Sequence, residues 1–324
     1  MKALVTGAAG FIGSHLVEHL LATGHTVLGL DDLSTGQRGN LPAESPRFRF
    51  VPGTILDGSL VDDLVSEVDT AFHMAAAVGA FVIQERTLRS LLTNVHGTEN
   101  VLDSAHRHGV RVLVASTSEI YGKNAAEGLG EDADRLIGSP LLNRWTYSEA
   151  KAVDESLTAA YVRELGLSAV IARLFNTVGP RQSGRYGMVI PRLVQQALEG
   201  RPLTVFGTGA QVRCFCHVAD VVPALVRLAE LSDVDGMAVN LGSTEQVSIN
   251  ELAARVLALT GSTAGVEHVP YAVAYGPGYE DLPRRVPDCA RARELIDFRP
   301  ARTLDDIVRA VIEEQTRAAA AVSA

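Results

Sequence analysis

The chain has 324 residues, with 29 basic and 38 acidic side chains and a formal net charge of −9. That length suffices for one large α/β unit or two closely joined domains around a sizeable core. The acidic balance argues against nucleic acid as a partner, and the three cysteines, Cys214, Cys216 and Cys289, fit a reducing cytosol better than a disulfide framework.

Lys2 to Thr6 is a short apolar run of the kind a buried parallel strand needs. Gly7, Gly10 and Gly13 follow as G-x-x-G-x-x-G, and Phe11, Ile12, Leu16, Val17, Leu20 and Leu21 then recur at helical spacing. Strand, glycine turn and helix together open a dinucleotide-binding unit, in which the helix N-terminus offers free N–H groups to a pyrophosphate. Thr26 to Leu30 is a second strand ending at Asp31-Asp32. An acid there can bind the adenosine ribose hydroxyls and would repel a 2′-phosphate, which predicts NAD rather than NADP. Asp31 is the first choice and Asp32 the alternative.

Further strands are expected at Phe48 to Val51, at Asp69 to Met74 and at Val110 to Ala115. The fourth strand runs into Ala75-Ala76-Ala77, small residues over which a cofactor can lie. Leu88 to His108 reads as a long helix containing Asn94, and Tyr147 opens another running to about Leu165. Strands alternating with helices predict a doubly wound parallel sheet with the ligand at the strands' carboxyl ends. Tyr147 and Lys151 lie four apart and share a helix face. The lysine is expected to lower the tyrosine pKa, so that the phenol can take and return a hydroxyl proton, with the Thr117 hydroxyl holding the same substrate oxygen. Ala169 to Leu174 is a sixth strand, Val218 to Leu231 a helix, Ala238 to Leu241 a late strand, and Thr303 to Ala324 a terminal helix. Cys214-Phe-Cys216 lacks metal-ligand spacing, so no metal is expected. No run is long enough to span a bilayer, and the glycines at motif spacing argue against a signal peptide. The expectation is a cytoplasmic protein with no membrane partner.

Taken together, Thr6 to Gly13, Asp31, Ser116-Thr117-Ser118, Tyr147-x-x-x-Lys151 and Arg173 to Pro180 resemble the extended short-chain dehydrogenase/reductase family, and within it the nucleotide-sugar epimerases, dehydratases and decarboxylases. The resemblance implies a Rossmann-type NAD domain (1–174 plus about 212–241), a smaller C-terminal α/β domain for the nucleotide sugar (175–211 and 242–324), and a homodimer. It carries over Thr117, Tyr147 and Lys151 as catalytic residues, with Asn94 in support and Ile55 and Ala75 beside the cofactor. Relatives usually carry an acid where this chain has Thr54, in Gly53-Thr-Ile-Leu-Asp57, so the position expected to hold adenine is a threonine here. Asn176 resembles a diphosphate-binding asparagine. The 200–213 segment resembles one that holds uridine diphosphate, with Thr204, Phe206 and Arg213, and Arg285 lies in a loop where relatives bind diphosphate.

Two features point to a uronic acid as the sugar. The loop from Arg181 to Arg192 supplies extra arginines, and Arg185, with Ser118 and Thr177, could clamp a carboxylate; Val189 and Arg192 border the same sugar. Ser118-Glu119 resembles the pair in UDP-glucuronate decarboxylases. The stretch 143–151 lacks the full Arg-x-Cys-Tyr-Asp-Glu pattern of decarboxylases, and 175–191 resembles UDP-glucuronate 4-epimerases of the moenomycin type. The expected reaction is therefore NAD-dependent 4-epimerisation of UDP-glucuronate to UDP-galacturonate through a 4-keto sugar. Decarboxylation of UDP-glucuronate is the alternative, UDP-glucose 4-epimerisation the third reading, and a non-catalytic NAD sensor the least favoured.

Overall fold

The computed structural model describes residues 1–79, 86–184, 188–276 and 280–323. Its strands in chain order are β1 (Lys2–Thr6), β2 (Thr26–Asp31), β3 (Phe48–Pro52), β4 (Thr70–His73), β5 (Arg111–Thr117), β6 (Ala169–Leu174), β7 (Thr177–Val178), β8 (Leu203–Phe206), β9 (Val212–Cys214), β10 (Cys216–His217), β11 (Ala238–Leu241), β12 (Gln246–Ser248), β13 (Val266–Val269) and β14 (Arg284–Arg285). The helices are α1 (Phe11–Ala22), α2 (Gly58–Val65), α3 (Thr87–His108), α4 (Thr146–Leu165), α5 (Val189–Leu198), α6 (Val218–Glu230), α7 (Ile249–Thr260), α8 (Tyr271–Ala274), α9 (Ala290–Ile296) and α10 (Leu304–Ser323).

Seven parallel strands form the central sheet in the order β11-β6-β5-β4-β1-β2-β3. The order reverses between β1 and β4, and that switch point opens the crevice in which ligands of such sheets bind. The strands are apolar because both faces are covered. On one face Leu16, Val17 and Leu20 of α1 pack with Val221, Leu225 and Leu228 of α6. On the other, Val61 and Val65 of α2 pack with Val101 and Leu102 of α3. A separate core, built from Leu193, Val205, Leu252, Val256, Ile307 and Val308, lies beneath the second half of the chain.

The division of the chain differs from the sequence expectation at two places. Val212 to Cys214 pairs with β12 and β14 in a small three-stranded sheet, outside the central sheet. Cys289, Ala292, Ile296 and Phe298 pack into the first core beside α6, so 290–298 returns to the Rossmann side. Among the described residues, no helix is long and apolar enough to cross a membrane.

Candidate active site

The turn after β1 is built for close approach. Gly7 has φ +68°, and a Cβ there would stand 2.9 Å from the Ala75 backbone. At Gly13 an added Cβ would stand 2.0 Å from the Gly7 carbonyl oxygen, so α1 packs on the turn only because that residue is glycine. Gly10 caps α1 with no side chain in the way, which leaves the first-turn N–H groups of Phe11, Ile12 and Gly13 facing the crevice. Asp31 stands at the end of β2, where its carboxylate accepts from Ala9 N at 2.9 Å and Leu33 N at 2.8 Å. Burial pushes this carboxyl up, and the two backbone donors oppose the shift. Asp32 is exposed and accepts from Ser34 N at 2.9 Å. Asp31, Asp32, Thr54, Ile55, Ala75 and Ala77 line a 290 Å³ cavity at the ends of β2, β3 and β4. Thr54 thus stands in that wall with a hydroxyl and no charge.

Asn94 is buried and does not reach either cavity wall; its amide accepts from Ala77 N at 2.7 Å and donates to Ala77 O at 3.3 Å. It therefore shapes the loop beneath the cofactor site. His73 does similar work one step deeper. Its ring bridges Thr6 Oγ1 at 2.9 Å and Thr98 Oγ1 at 3.0 Å, and Thr6 Oγ1 also accepts from Ala75 N at 3.1 Å. Burial, aided by the Lys151 charge, pushes the His73 ring down to about 3, so it stays neutral.

A larger cavity of 510 Å³ continues from the glycine turn across the ends of β5 and β6. Thr117, Tyr147 and Lys151 share its wall. β5 delivers Thr117, and Ser116 donates to Glu155 Oε1 at 2.5 Å while Arg173 pairs with the same carboxylate at 2.8 Å, which fixes α4 against β6. One expectation is reversed. Burial first, and then the Asp154 and Glu119 carboxylates, push the Tyr147 phenol above its ordinary range. Lys151 does not lower it here because its ammonium is paired with Asp154 Oδ2 at 2.8 Å, both side chains being almost wholly buried.

Ser118, Glu119, Asn176, Thr177, Val189 and Arg192 line the same cavity, as do Phe206, Arg213 and Arg285. Glu119 is clasped by two guanidinium groups, Arg144 at 2.6 Å and Arg285 at 2.5 Å. Burial alone would raise the Glu119 carboxyl, but Arg285 and Arg144 more than offset it and hold it well below the usual carboxylate range. The Arg285 guanidinium is itself pushed down by burial. β14 pairs in parallel with β9, setting Arg285 beside Arg213, which donates to Asp281 Oδ1 at 2.7 Å. Asn176 donates to Cys214 O at 2.9 Å. Arg192 lies over the Phe206 ring at 4.0 Å, a cation–π pair. Thr204 stands behind that wall, holding Arg192 and Gln196, and does not itself line the cavity. Arg185 lies outside the described residues.

Sequence reasoning missed Arg144, Asp154, Tyr271 and Tyr275. Arg144 carries a signal in the sequence: Arg144-Trp-Thr-Tyr147 keeps the arginine of the Arg-x-Cys-Tyr pattern although the cysteine is replaced. Tyr275 meets Phe206 edge-on at 5.3 Å and stacks on Tyr271 at 6.4 Å, a base-sized aromatic corner. Only the tertiary fold assembles that corner.

The description "NAD dependent epimerase/dehydratase family" matches residues 3–242. The chain is 38% identical over 307 residues to a UDP-N-acetyl-alpha-D-glucosaminuronate decarboxylase of Bacillus cytotoxicus, covering 92% of each chain. It is 34% identical over 316 residues to a UDP-glucuronic acid decarboxylase of Danio rerio, covering 98% of this chain and 73% of that one. It also matches the structure of the Bacillus cereus UDP-glucuronic acid 4-epimerase in complex with UDP-glucuronic acid and NAD, with TM-score 0.88 and 28% identity over 98% of this chain and 100% of that one. The chain belongs to the NAD-dependent epimerase/dehydratase family, and its cofactor is NAD.

Proposed function

We propose that this member of the NAD-dependent epimerase/dehydratase family decarboxylates a UDP-hexuronate to a UDP-pentose through a 4-keto sugar. The observation that carries this is the Arg144–Glu119–Arg285 cluster in the wall that also holds Thr117 and Tyr147. The decarboxylases that share 34–38% identity with the chain support it. The cradle around Gly7 and Gly13, the Asp31 carboxylate and Lys151 fit NAD. When bound, NAD supplies the reversible two-electron oxidation of the sugar at C4. Tyr147 takes the O4 proton, and Thr117 donates to the same oxygen. Asn176 and Arg213 hold the diphosphate, while Phe206, Arg192 and Tyr275 enclose the base.

A 4-keto uronate is a β-keto acid. Its C5–carboxylate bond breaks when it stands perpendicular to the carbonyl plane, and the electron pair then enters the C4 carbonyl to give an enolate. Carbon dioxide leaves while the Thr117 and Tyr147 hydroxyls stabilise the enolate oxygen. A proton from solvent returns to C5, and the resulting 4-keto pentose regains at C4 the two electrons taken in the first step, with Tyr147 giving the proton back to O4. Epimerisation instead requires the carboxylate to be pinned near that plane by an unspent cation. Arg144 and Arg285 both spend charge on Glu119. Neither of these two described arginines then pins the substrate carboxylate, which favours decarboxylation. Epimerisation is the second reading, supported by the match to the Bacillus cereus enzyme. The exposed Leu88 and Leu92 of α3 and Val153 of α4 suit a homodimer packed through these helices.

Mass spectrometry of the product from UDP-glucuronate, and in parallel from UDP-N-acetylglucosaminuronate, tests the reading. Loss of one carbon dioxide supports it. A product of unchanged mass overturns it in favour of epimerisation.

A further inference from the structure

Asp154 is the one fully buried carboxylate among the described residues. It lies three residues beyond Lys151 and seven beyond Tyr147, on the same face of α4. Its Oδ2 holds the Lys151 ammonium at 2.8 Å, while its Oδ1 is buried with no hydrogen-bond partner. A carboxylate this dry is costly unless its charge is used. Thr158, one turn on, binds the Asp154 backbone carbonyl rather than its carboxylate.

The other charged and titratable groups around the pair are already committed. From β4, His73 is neutral and spans Thr6 and Thr98. From the turn after β5, Glu119 is clasped by Arg144 and Arg285. On α4 itself, Glu155 is bound to Ser116 of β5 and Arg173 of β6. The buried face of α3 presents Ser90, Asn94, Thr98 and Ser104, none of them charged. Asp154 is thus the group that balances Lys151.

We propose that Asp154 is a positioning residue that offsets the Lys151 charge at Tyr147, keeping the phenol basic enough to take the O4 proton yet acidic enough to return it. An unbalanced lysine next to a nicotinamide cation would leave Tyr147 a weak base. The carboxylate restores basicity without entering the cavity. The proposal rests on the C4 oxidation step, which decarboxylation and epimerisation share.

The test is the ionisation of Tyr147, followed by ultraviolet tyrosinate absorbance in the NAD-loaded protein, with the Tyr147→Phe signal subtracted. In Asp154→Asn, which keeps shape and removes charge, the Tyr147 midpoint falls by about one pH unit or more, the size a neighbouring charge imparts. The acid limb of kcat moves the same way. Asp154→Glu keeps the charge and restores the wild-type midpoint. Should the Asn variant fold poorly, Asp154→Ser makes the same charge change with less volume. A midpoint unchanged in a folded, charge-removed variant overturns the proposal. Loss of carbon dioxide release with a shifted midpoint would instead concern the reaction, not Asp154.

Discussion

Replacing Glu119 by glutamine tests the arginine cluster directly. The Glu119 side chain is 21% exposed, against 12% for Arg144 and 6% for Arg285, so all three lie largely away from water. Its two oxygens meet the guanidinium groups at 2.6 and 2.5 Å. Removing one partner from a buried ion pair costs about 3–5 kcal/mol, because the remaining charge is left without compensation. Here two cations are left, but the glutamine carbonyl still accepts one hydrogen bond. The expected loss is therefore near the lower end, about 3 kcal/mol, or roughly a hundredfold in the folded-to-unfolded ratio. The pH dependence has a definite sign. The folded carboxyl is held below its unfolded value, so the stabilisation is complete above the ordinary glutamate range and is lost as pH falls through and below it. Urea denaturation of Glu119→Gln and the parent at neutral pH should show the full gap, and the gap should narrow as the solution is acidified through that range. In the variant the freed arginines also pin the substrate carboxylate, so kcat for carbon dioxide release falls at least about tenfold while KM holds or falls. Equal stability at neutral pH together with an unchanged kcat would refute the reasoning.

Three other substitutions probe the remaining parts. Tyr147→Phe should lower turnover by about a thousandfold while calorimetry still detects NAD binding; unchanged turnover would remove Tyr147 from its role. Ala9 N and Leu33 N bond different oxygens of Asp31, so Asp31→Asn keeps an acceptor for only one of them and loses the charge; NAD affinity should drop about tenfold or more and discrimination against NADP should narrow. Gly13→Ala places a methyl group 2.0 Å from the Gly7 oxygen, so the turn must shift and NAD affinity should fall far more than with Asp31→Asn; retained affinity would contradict the cradle.

The parallel sheet was legible because its strands are buried on both faces and read as unbroken apolar runs. β1, β6 and β11 begin and end where the sequence places them. β9, β12 and β14 were not legible: each is two or three residues long, too short to show periodicity. α7 went unread although Ser248 and Glu251 form a capping box, a signal the sequence does carry. Within the site, Tyr147, Lys151 and Glu119 declared themselves by motif. Asp154 did not, because a carboxylate next to Glu155 on a mixed helix looks like a solvated face until α3 and the sheet cover it. Arg185, the candidate carboxylate clamp, lies outside the described residues; among those described, Arg144 and Arg285 meet at the reacting end of the cavity, brought there from just before α4 and from the far side of β9.

The most direct measurement is to incubate the purified protein with NAD and UDP-glucuronate labelled at the carboxyl carbon, and to follow the label by carbon NMR. The account predicts that the label leaves as carbon dioxide and bicarbonate while an unlabelled UDP-pentose accumulates. Label retained in a galacto-configured uronate would contradict it and make the enzyme an epimerase.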